Sequence, residues 1–137
     1  MDTDVIVAAM RSPSGASAAL IGAALDNRLM MLASVPLFFE YESQCTDPEH
    51  WTAAGITRDQ AIIFINGIAS LIEPVTTHYL WRPMLRDPND EMVLEAALNG
   101  GADAIVTFNL RDYGDKPKTF NIEVFTPSVA IRRVGNE

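Results

Sequence analysis

Cysteine and histidine are scarce in this sequence of 137 residues, which contains one cysteine and two histidines. The single Cys45 cannot form an internal disulfide, and the three residues do not have the spacing of a zinc site. His50 and His78 are the only histidines available to activate a serine or cysteine nucleophile, and neither lies in a catalytic motif. These absences argue against a disulfide framework, a structural zinc site and a triad hydrolase.

Positive charge is also scarce. The chain has 10 basic and 18 acidic residues and a formal net charge of −8, and its one adjacent basic pair is Arg132-Arg133. Such a chain does not attract nucleic acid through bulk electrostatics, because neutralising phosphates requires clustered lysine and arginine. If the substrate is a phosphodiester, another source of positive charge is needed.

Long apolar runs are absent. None approaches the roughly 20 residues that span a bilayer, and no basic segment followed by an apolar one suggests a signal peptide. We therefore expect a cytoplasmic protein without membrane contact. No linker or repeat divides the chain, so residues 1–137 are expected to form a single domain. A domain of this size can fold without disulfides or a structural metal. A glycine-rich phosphate loop and a dinucleotide fingerprint are also missing.

Short apolar segments alternate with helical patterns along the chain. The apolar segments at 29–33, 75–80, 104–107 and 122–125 predict buried or half-buried strands. Helices are predicted at 16–25 after a Ser12 N-cap, from Ser34-Pro36 through Glu40, at 58–72 after a Thr57/Gln60 capping box, and at 88–99 before Gly100-Gly101. This alternation predicts an α/β domain with a mostly parallel sheet.

Polar residues cluster at the ends of the predicted strands, where ligands of open α/β sheets bind. They are Asp2, Asp4, Asp87, Asp90, Thr107, Asn109 and Asp112, which Glu40 joins from its helix. Carboxylates from four separate parts of a chain match the oxygen ligands of Mg²⁺ or Mn²⁺. Bound cations would also let an acidic pocket accept a phosphodiester, polarise its phosphoryl group and activate water.

Each acid also has an ordinary structural explanation. Asp87 suits a helix N-cap followed by Pro88, and Asp90 is an acid in the first helical turn, which the helix dipole favours. Glu40 is typical of a solvated helix face, Asp2 of a frayed end, and Asp112 of a turn. The site hypothesis therefore depends on the combination of acids.

Four segments, taken in order, resemble the PIN-domain family and in particular its bacterial branch of toxins from toxin–antitoxin pairs. They are DTDVIVAAMRSPSG, SVPLFFEYES, RDPNDEMVLEAALNGGADAIVTFNLRDY and NIEVFTPSVAI, which span nearly the whole chain. The resemblance implies a three-layer α/β/α sandwich around a mostly parallel central sheet. It also implies a metal-dependent endoribonuclease, using Mg²⁺ or Mn²⁺, that forms a homodimer and is restrained by a cognate antitoxin.

The resemblance also implies the roles of individual residues. Asp2, Glu40 and Asp90 fall on the family's metal-binding acids, with Asp4 beside the first of them and Asp87 capping the helix that carries the third. Thr107 falls where a residue would orient water or an acid side chain. These positions predict that Asp2, Glu40 and Asp90 bind the metal and carry catalysis.

Two features depart from the family pattern. Asn109 stands where the family often has an aspartate, so an uncharged amide replaces a carboxylate, and Asp112 is the candidate to replace it as a fourth catalytic acid. Only Met1 precedes Asp2, whereas the family has an apolar strand there. Either the native chain starts upstream of Met1, or the first strand is short and Asp2 is loosely held.

Three functional hypotheses follow from the sequence. The leading hypothesis is a Mg²⁺- or Mn²⁺-dependent ribonuclease that acts as a toxin. The main alternative is a catalytically impaired PIN-fold module that binds an antitoxin or RNA without cleaving it, which Asn109 and the short N-terminus support. The third is a metal-dependent phosphatase acting on small phosphate esters.

Overall fold

The computed structural model describes residues 1–77 and 84–135, which contain nine helices and four short strands. The helices are α1 Thr3–Arg11, α2 Ala16–Leu25, α3 Val35–Cys45, α4 Pro48–Ala53, α5 Arg58–Leu71, α6 Pro88–Gly100, α7 Leu110–Tyr113, α8 Lys116–Thr119 and α9 Pro127–Gly135. The strands are β1 Met31–Ala33, β2 Ile72–Pro74, β3 Ala104–Val106 and β4 Glu123–Phe125.

The strands form two parallel pairs. β1 pairs with β2 so that Met31 lies opposite Ile72, and β3 pairs with β4 so that Ala104 lies opposite Glu123. The predicted α/β fold with parallel strands is confirmed. Among the described residues, however, the pairs are separate two-stranded sheets rather than one continuous sheet. Helix α6 contacts both β1 and β3 and so packs across the two pairs.

Helix starts follow the local sequence closely. In α5 the Thr57 backbone N–H donates to Gln60 Oε1 at 2.9 Å, and the Gln60 N–H donates to Thr57 Oγ1 at 3.2 Å, which confirms the predicted capping box. The predicted cap of α3 is also present, because Ser34 Oγ accepts from the Leu37 N–H at 3.3 Å. The C-cap of α6 is Gly101, whose φ of 65° is left-handed, as predicted for this glycine pair.

Two predictions about elements were wrong, and helix α1 was missed. The N-cap of α2 is Gly15, while Ser12 is the C-cap of α1. The strand predicted at 75–80 forms earlier, at Ile72–Pro74, and residues 78–80 lie outside the described residues. Helix α1 was not predicted, although it has an apolar face formed by Val5, Ile6 and Ala9, which are buried.

The buried core joins both strand pairs to the helices around them. Its fully buried aliphatic side chains come from six elements, α1, α2, α3, α5, α6 and β3, and they include Ile6, Leu20, Leu37, Ile65, Leu94 and Ile105. Packing of this kind, rather than intrinsic conformational propensity, stabilises short elements such as the three-residue strands. Within the described residues, no single helix is long and apolar enough to cross a membrane, and α1 and α2 reach that composition only as a pair bent by 97°.

Gly100, the last residue of α6, allows this helix to approach the loop after β2. A Cβ at Gly100 would lie 2.8 Å from Val75 Cγ2 and 2.9 Å from Leu32 Cδ1, whereas a Cβ at Gly67 in α5 would meet nothing within 4 Å. We therefore expect Gly100→Ala to lower the free energy of unfolding by about 1–3 kcal/mol. Gly67→Ala should raise it by about 0.5–1 kcal/mol through helix propensity. Urea denaturation of both variants measures this, and a stabilised Gly100→Ala protein would contradict the packing.

Candidate active site

Asp2 is the most firmly held of the predicted site residues. It is 5% exposed, and its backbone N–H donates to the Val106 carbonyl oxygen at the end of β3 at 2.8 Å. Although it occupies the N-cap position of α1, its side chain makes no capping hydrogen bond there. Instead, Asp2 Oδ2 accepts from Thr107 Oγ1 at 2.7 Å. The expectation of a loosely held Asp2 was therefore wrong.

Thr107 links Asp2 to the segment that follows β3. Its side chain is fully buried, and its Oγ1 accepts from the Asn109 backbone N–H at 3.0 Å while donating to Asp2. This places the hydroxyl proton on the side of the carboxylate, so Thr107 holds the Asp2 side chain by a hydrogen bond. Asn109 contributes only its backbone N–H to these hydrogen bonds, and the residue is exposed.

Tyr113 is the site residue that sequence reasoning missed. It is fully buried at the end of α7, and its hydroxyl donates to Asp2 Oδ2 at 3.3 Å. Burial, and then the charges of Asp2 and Asp90, raise the pKa of Tyr113, so the phenol remains a neutral donor. The signal available in the sequence was an aromatic residue, Tyr113, within the polar segment that follows Arg111.

Asp87 caps α6 as the sequence predicted, and Asp90 is buried in the first turn of the same helix. Asp87 Oδ1 accepts from the Asn89 N–H at 2.8 Å and so caps α6. Asp90 lies one turn further on and is 7% exposed. Burial, and then repulsion from Asp2, Asp87 and Asp112, raises the pKa of the Asp90 carboxyl to about 6, although a hydrogen bond from Tyr113 acts in the opposite direction.

Asp4 and Asp112 lie at the exposed margin of the same group of acids. Both residues are exposed, in α1 and α7 respectively. Desolvation, and then the charge of Asp2, raises the pKa of Asp4, with a further contribution from Asp87 and an opposing one from His50. Asp112 is close enough to Asp90 to contribute to its raised pKa. The structure therefore brings Asp2, Asp4, Asp87, Asp90 and Asp112 into one electrostatic cluster.

Glu40 is placed differently. Its Oε1 accepts from Gln44 Nε2 at 3.3 Å, one helical turn along α3. The contacts of the described residues do not join Glu40 to the other acids. Its neighbour Tyr41 reaches the N-terminus instead, because the buried Tyr41 hydroxyl donates to the Met1 carbonyl oxygen. A role for Glu40 as a metal ligand thus stays a prediction.

The oxygen donors near Asp2 and Asp90 are of the kind that a hard divalent cation binds. Mg²⁺ is usually bound by one or two carboxylates and keeps several waters, and Asp2 and Asp90 both lie beside the Tyr113 hydroxyl. The Thr3 hydroxyl next to Asp2 is buried and has no partner among the described residues, which leaves a polar group there free. In residues 1–77 and 84–135, no three aspartate, glutamate, histidine or cysteine side chains are already grouped to hold a metal ion.

Two cavities lie near these residues, and only one contains predicted site residues. A groove of about 700 Å³ is lined by residues of two segments, 84–90 and 111–119, including Asp90, Asp112 and Tyr113. A second cavity of about 450 Å³ lies between β1 and β3, with Met1 and apolar residues of α6 in its wall, and none of the predicted acids lines it. The groove is therefore the side from which a substrate would reach Asp90.

Parallel strands, acidic residues beyond the carboxyl end of β3 and an open groove together form an α/β fold with a candidate active site. A family model described as PIN domain matches residues 1–111. The chain belongs to the PIN-domain family, whose members are generally metal-dependent nucleases that typically use divalent ions. The match ends at Arg111, before Tyr113. No curated protein and no solved structure matches this chain.

The raised pKa of Asp90 predicts a pH-dependent stability. Since the unfolded carboxyl has a pKa of about 3.9 and the folded one about 6, the native state binds more protons between these values. The free energy of unfolding should therefore fall as pH rises through this window. Asp90→Asn should be more stable than the wild type at pH 7.5, by on the order of 1 kcal/mol, and equal to it near pH 3.5.

Chemical denaturation in EDTA at the two pH values measures this difference. Asp103→Asn is the matched control, since Asp103 is exposed and its backbone carbonyl makes the strand contact. A wild-type protein as stable as Asp90→Asn at pH 7.5 would show that Asp90 carries no electrostatic strain.

Proposed function

We propose that this protein is a Mg²⁺- or Mn²⁺-dependent ribonuclease that hydrolyses phosphodiester bonds of RNA. The observation that carries the proposal is the buried Asp2 carboxylate, held by Thr107 and Tyr113 beside the buried Asp90. Burying two acids together is unfavourable unless the charge is neutralised. A divalent cation would supply that neutralisation.

Asp2 and Asp90 are the residues that would hold the cation. Bound there, it would polarise the phosphoryl group and lower the pKa of water. Thr107 and Tyr113 fix Asp2 in one orientation, because both donate to the same oxygen, Oδ2. The other oxygen, Oδ1, is thereby left for a ligand.

The exposed acids have supporting roles in this proposal. Asp112 lies on the groove and is the candidate fourth acid in place of Asn109. Asp4 and Asp87 add negative potential around the cation, and Asp87 also fixes the first turn of α6. Glu40 would join through a change of its side-chain rotamer away from Gln44. Tyr113 serves as a hydrogen-bond donor and not as a base, because its pKa is raised.

The biological role proposed is that of a toxin in a toxin–antitoxin pair. The support is the motif order of the sequence, whose toxin branch implies a homodimer in the cytoplasm restrained by a cognate antitoxin.

A second function is favoured by one observation, the amide of Asn109 where the family often has an acid. With one carboxylate fewer, the site would bind a cation more weakly. The protein would then act as a PIN-fold module that binds an antitoxin or RNA without cleaving it.

Cleavage of single-stranded RNA of mixed sequence during a Mn²⁺ titration tests the proposal. We expect metal-dependent cleavage that falls by about a hundredfold in Asp90→Asn, because a cation ligand is lost. Asp103→Asn should cleave like the wild type. Asn109→Asp should lower the Mn²⁺ concentration needed for half-maximal cleavage, since it adds a carboxylate.

Other outcomes separate the alternatives. RNA bound but uncleaved at every Mn²⁺ and Mg²⁺ concentration, with cleavage appearing in Asn109→Asp, would favour the impaired module. Hydrolysis of p-nitrophenyl phosphate without RNA cleavage would favour a phosphatase. Cleavage equal in the wild type and Asp90→Asn would refute the assignment of the site.

A further inference from the structure

The groove beside Asp90 is lined by basic as well as acidic side chains. Its cations are Arg86, Arg111 and Lys116, which are three of the ten basic residues of the chain. Its acids are Asp87, Asp90, Asp112 and Asp115. Three of the ten cations of the chain therefore lie on one groove, beside four acids, where a phosphate could contact them.

These cations are available to a ligand. All three residues are exposed, and the one ion pair among residues 1–77 and 84–135 joins Arg133 to Glu123 at 3.7 Å, away from the groove. Asp112 and Asp115 are neighbours of Arg111 and Lys116 in sequence but form no ion pair with them. Among the residues that the structure describes, these positive charges therefore line the groove without an ion-pair partner.

The local backbone explains which side chains reach the groove. In α7, Tyr113 turns inward to Asp2 while Arg111 and Asp112 stay exposed. In α8, Pro117 is buried, and Lys116 and Thr119, three residues apart, line the groove together. Lys118 belongs to the same short helix but does not line the groove.

We propose that Arg111 and Lys116 bind backbone phosphates of single-stranded RNA next to the scissile phosphate. This inference rests on the proposed ribonuclease function and assigns the substrate path that it requires. The two residues are positioning residues, because they hold the strand while the acids at Asp90 face the phosphate to be cleaved. Contacts to phosphate alone would bind RNA without sequence preference.

Anisotropy of a fluorescein-labelled single-stranded RNA of mixed sequence, with Mg²⁺ present, tests this. The parent is Asp90→Asn, which we expect to suppress cleavage during the measurement. In this parent, Arg111→Ala/Lys116→Ala should raise Kd about tenfold. It should also reduce the slope of log affinity against log salt by about 1.4, since each single-strand phosphate contact contributes about 0.7.

A matched control carries the same change of charge elsewhere. Arg58→Ala/Lys118→Ala removes two exposed cations that do not line the groove, and it should change Kd by less than about twofold. Arg111→Lys/Lys116→Arg preserves the charges and should retain the salt slope of the parent. The mutated residues are exposed, so folding can be verified independently by thermal unfolding.

Equal losses of affinity in the two double variants would overturn the inference, because net charge rather than the groove would then govern binding. Unchanged binding in Arg111→Ala/Lys116→Ala, or no RNA binding by either the wild type or the parent, would overturn it as well. The proposed function fails separately. If the wild type cleaves RNA and the groove variants bind normally, only this inference is wrong. If the wild type does not cleave and the groove variants lose RNA, only the catalytic proposal is wrong.

Discussion

Burial of the Asp2 carboxylate is the constraint on which the site depends. A buried carboxylate requires hydrogen-bond donors, and Asp2 receives them from Thr107 and Tyr113, which are 105 and 111 residues away in sequence. The contacts fix the start of the chain against the end of β3 and against α7. Because both donors bind Oδ2, the fold itself selects the orientation of the acid.

The second constraint is electrostatic. Asp90 is nearly as buried as Asp2 and is repelled by three neighbouring carboxylates, which together with burial keep its pKa near 6. Such an arrangement lowers stability at neutral pH when no cation is bound. Strain of this kind is typical of functional sites, where groups are arranged for binding rather than for stability. The hydrogen bond from Tyr113 offsets part of the repulsion without adding positive charge.

Local signals in the sequence predicted much of the fold. The Thr57/Gln60 capping box, the Asp87 cap and the Gly101 turn each involve residues within a few positions of one another, so their geometry follows from short-range chemistry. The pairing of β1 with β2 and of β3 with β4 joins segments far apart in the chain. Periodicity could therefore predict parallel strands but not that they form two separate pairs.

The site was also predictable only in part, because local sequence does not reveal contacts between distant segments. Asp2 and Asp90 were found because carboxylates in family motifs are visible in the sequence, and Thr107 because it follows a strand. Tyr113 was not, because its role arises from a contact across 111 residues and its hydroxyl has no motif. Glu40 is a different case: its role as a ligand stays a prediction from its motif, and its hydrogen bond in the structure is to Gln44 in its own helix.

The central claim is that Asp2 and Asp90 together form a cation site. Mn²⁺ binding without RNA, followed by the loss of the electron paramagnetic resonance signal of free Mn²⁺, measures it directly in the wild type, Asp2→Asn and Asp103→Asn. We predict saturable binding in the wild type and in Asp103→Asn, weakened at least about tenfold in Asp2→Asn. Equal Mn²⁺ affinity in all three proteins, or no binding up to millimolar Mn²⁺, would contradict the account.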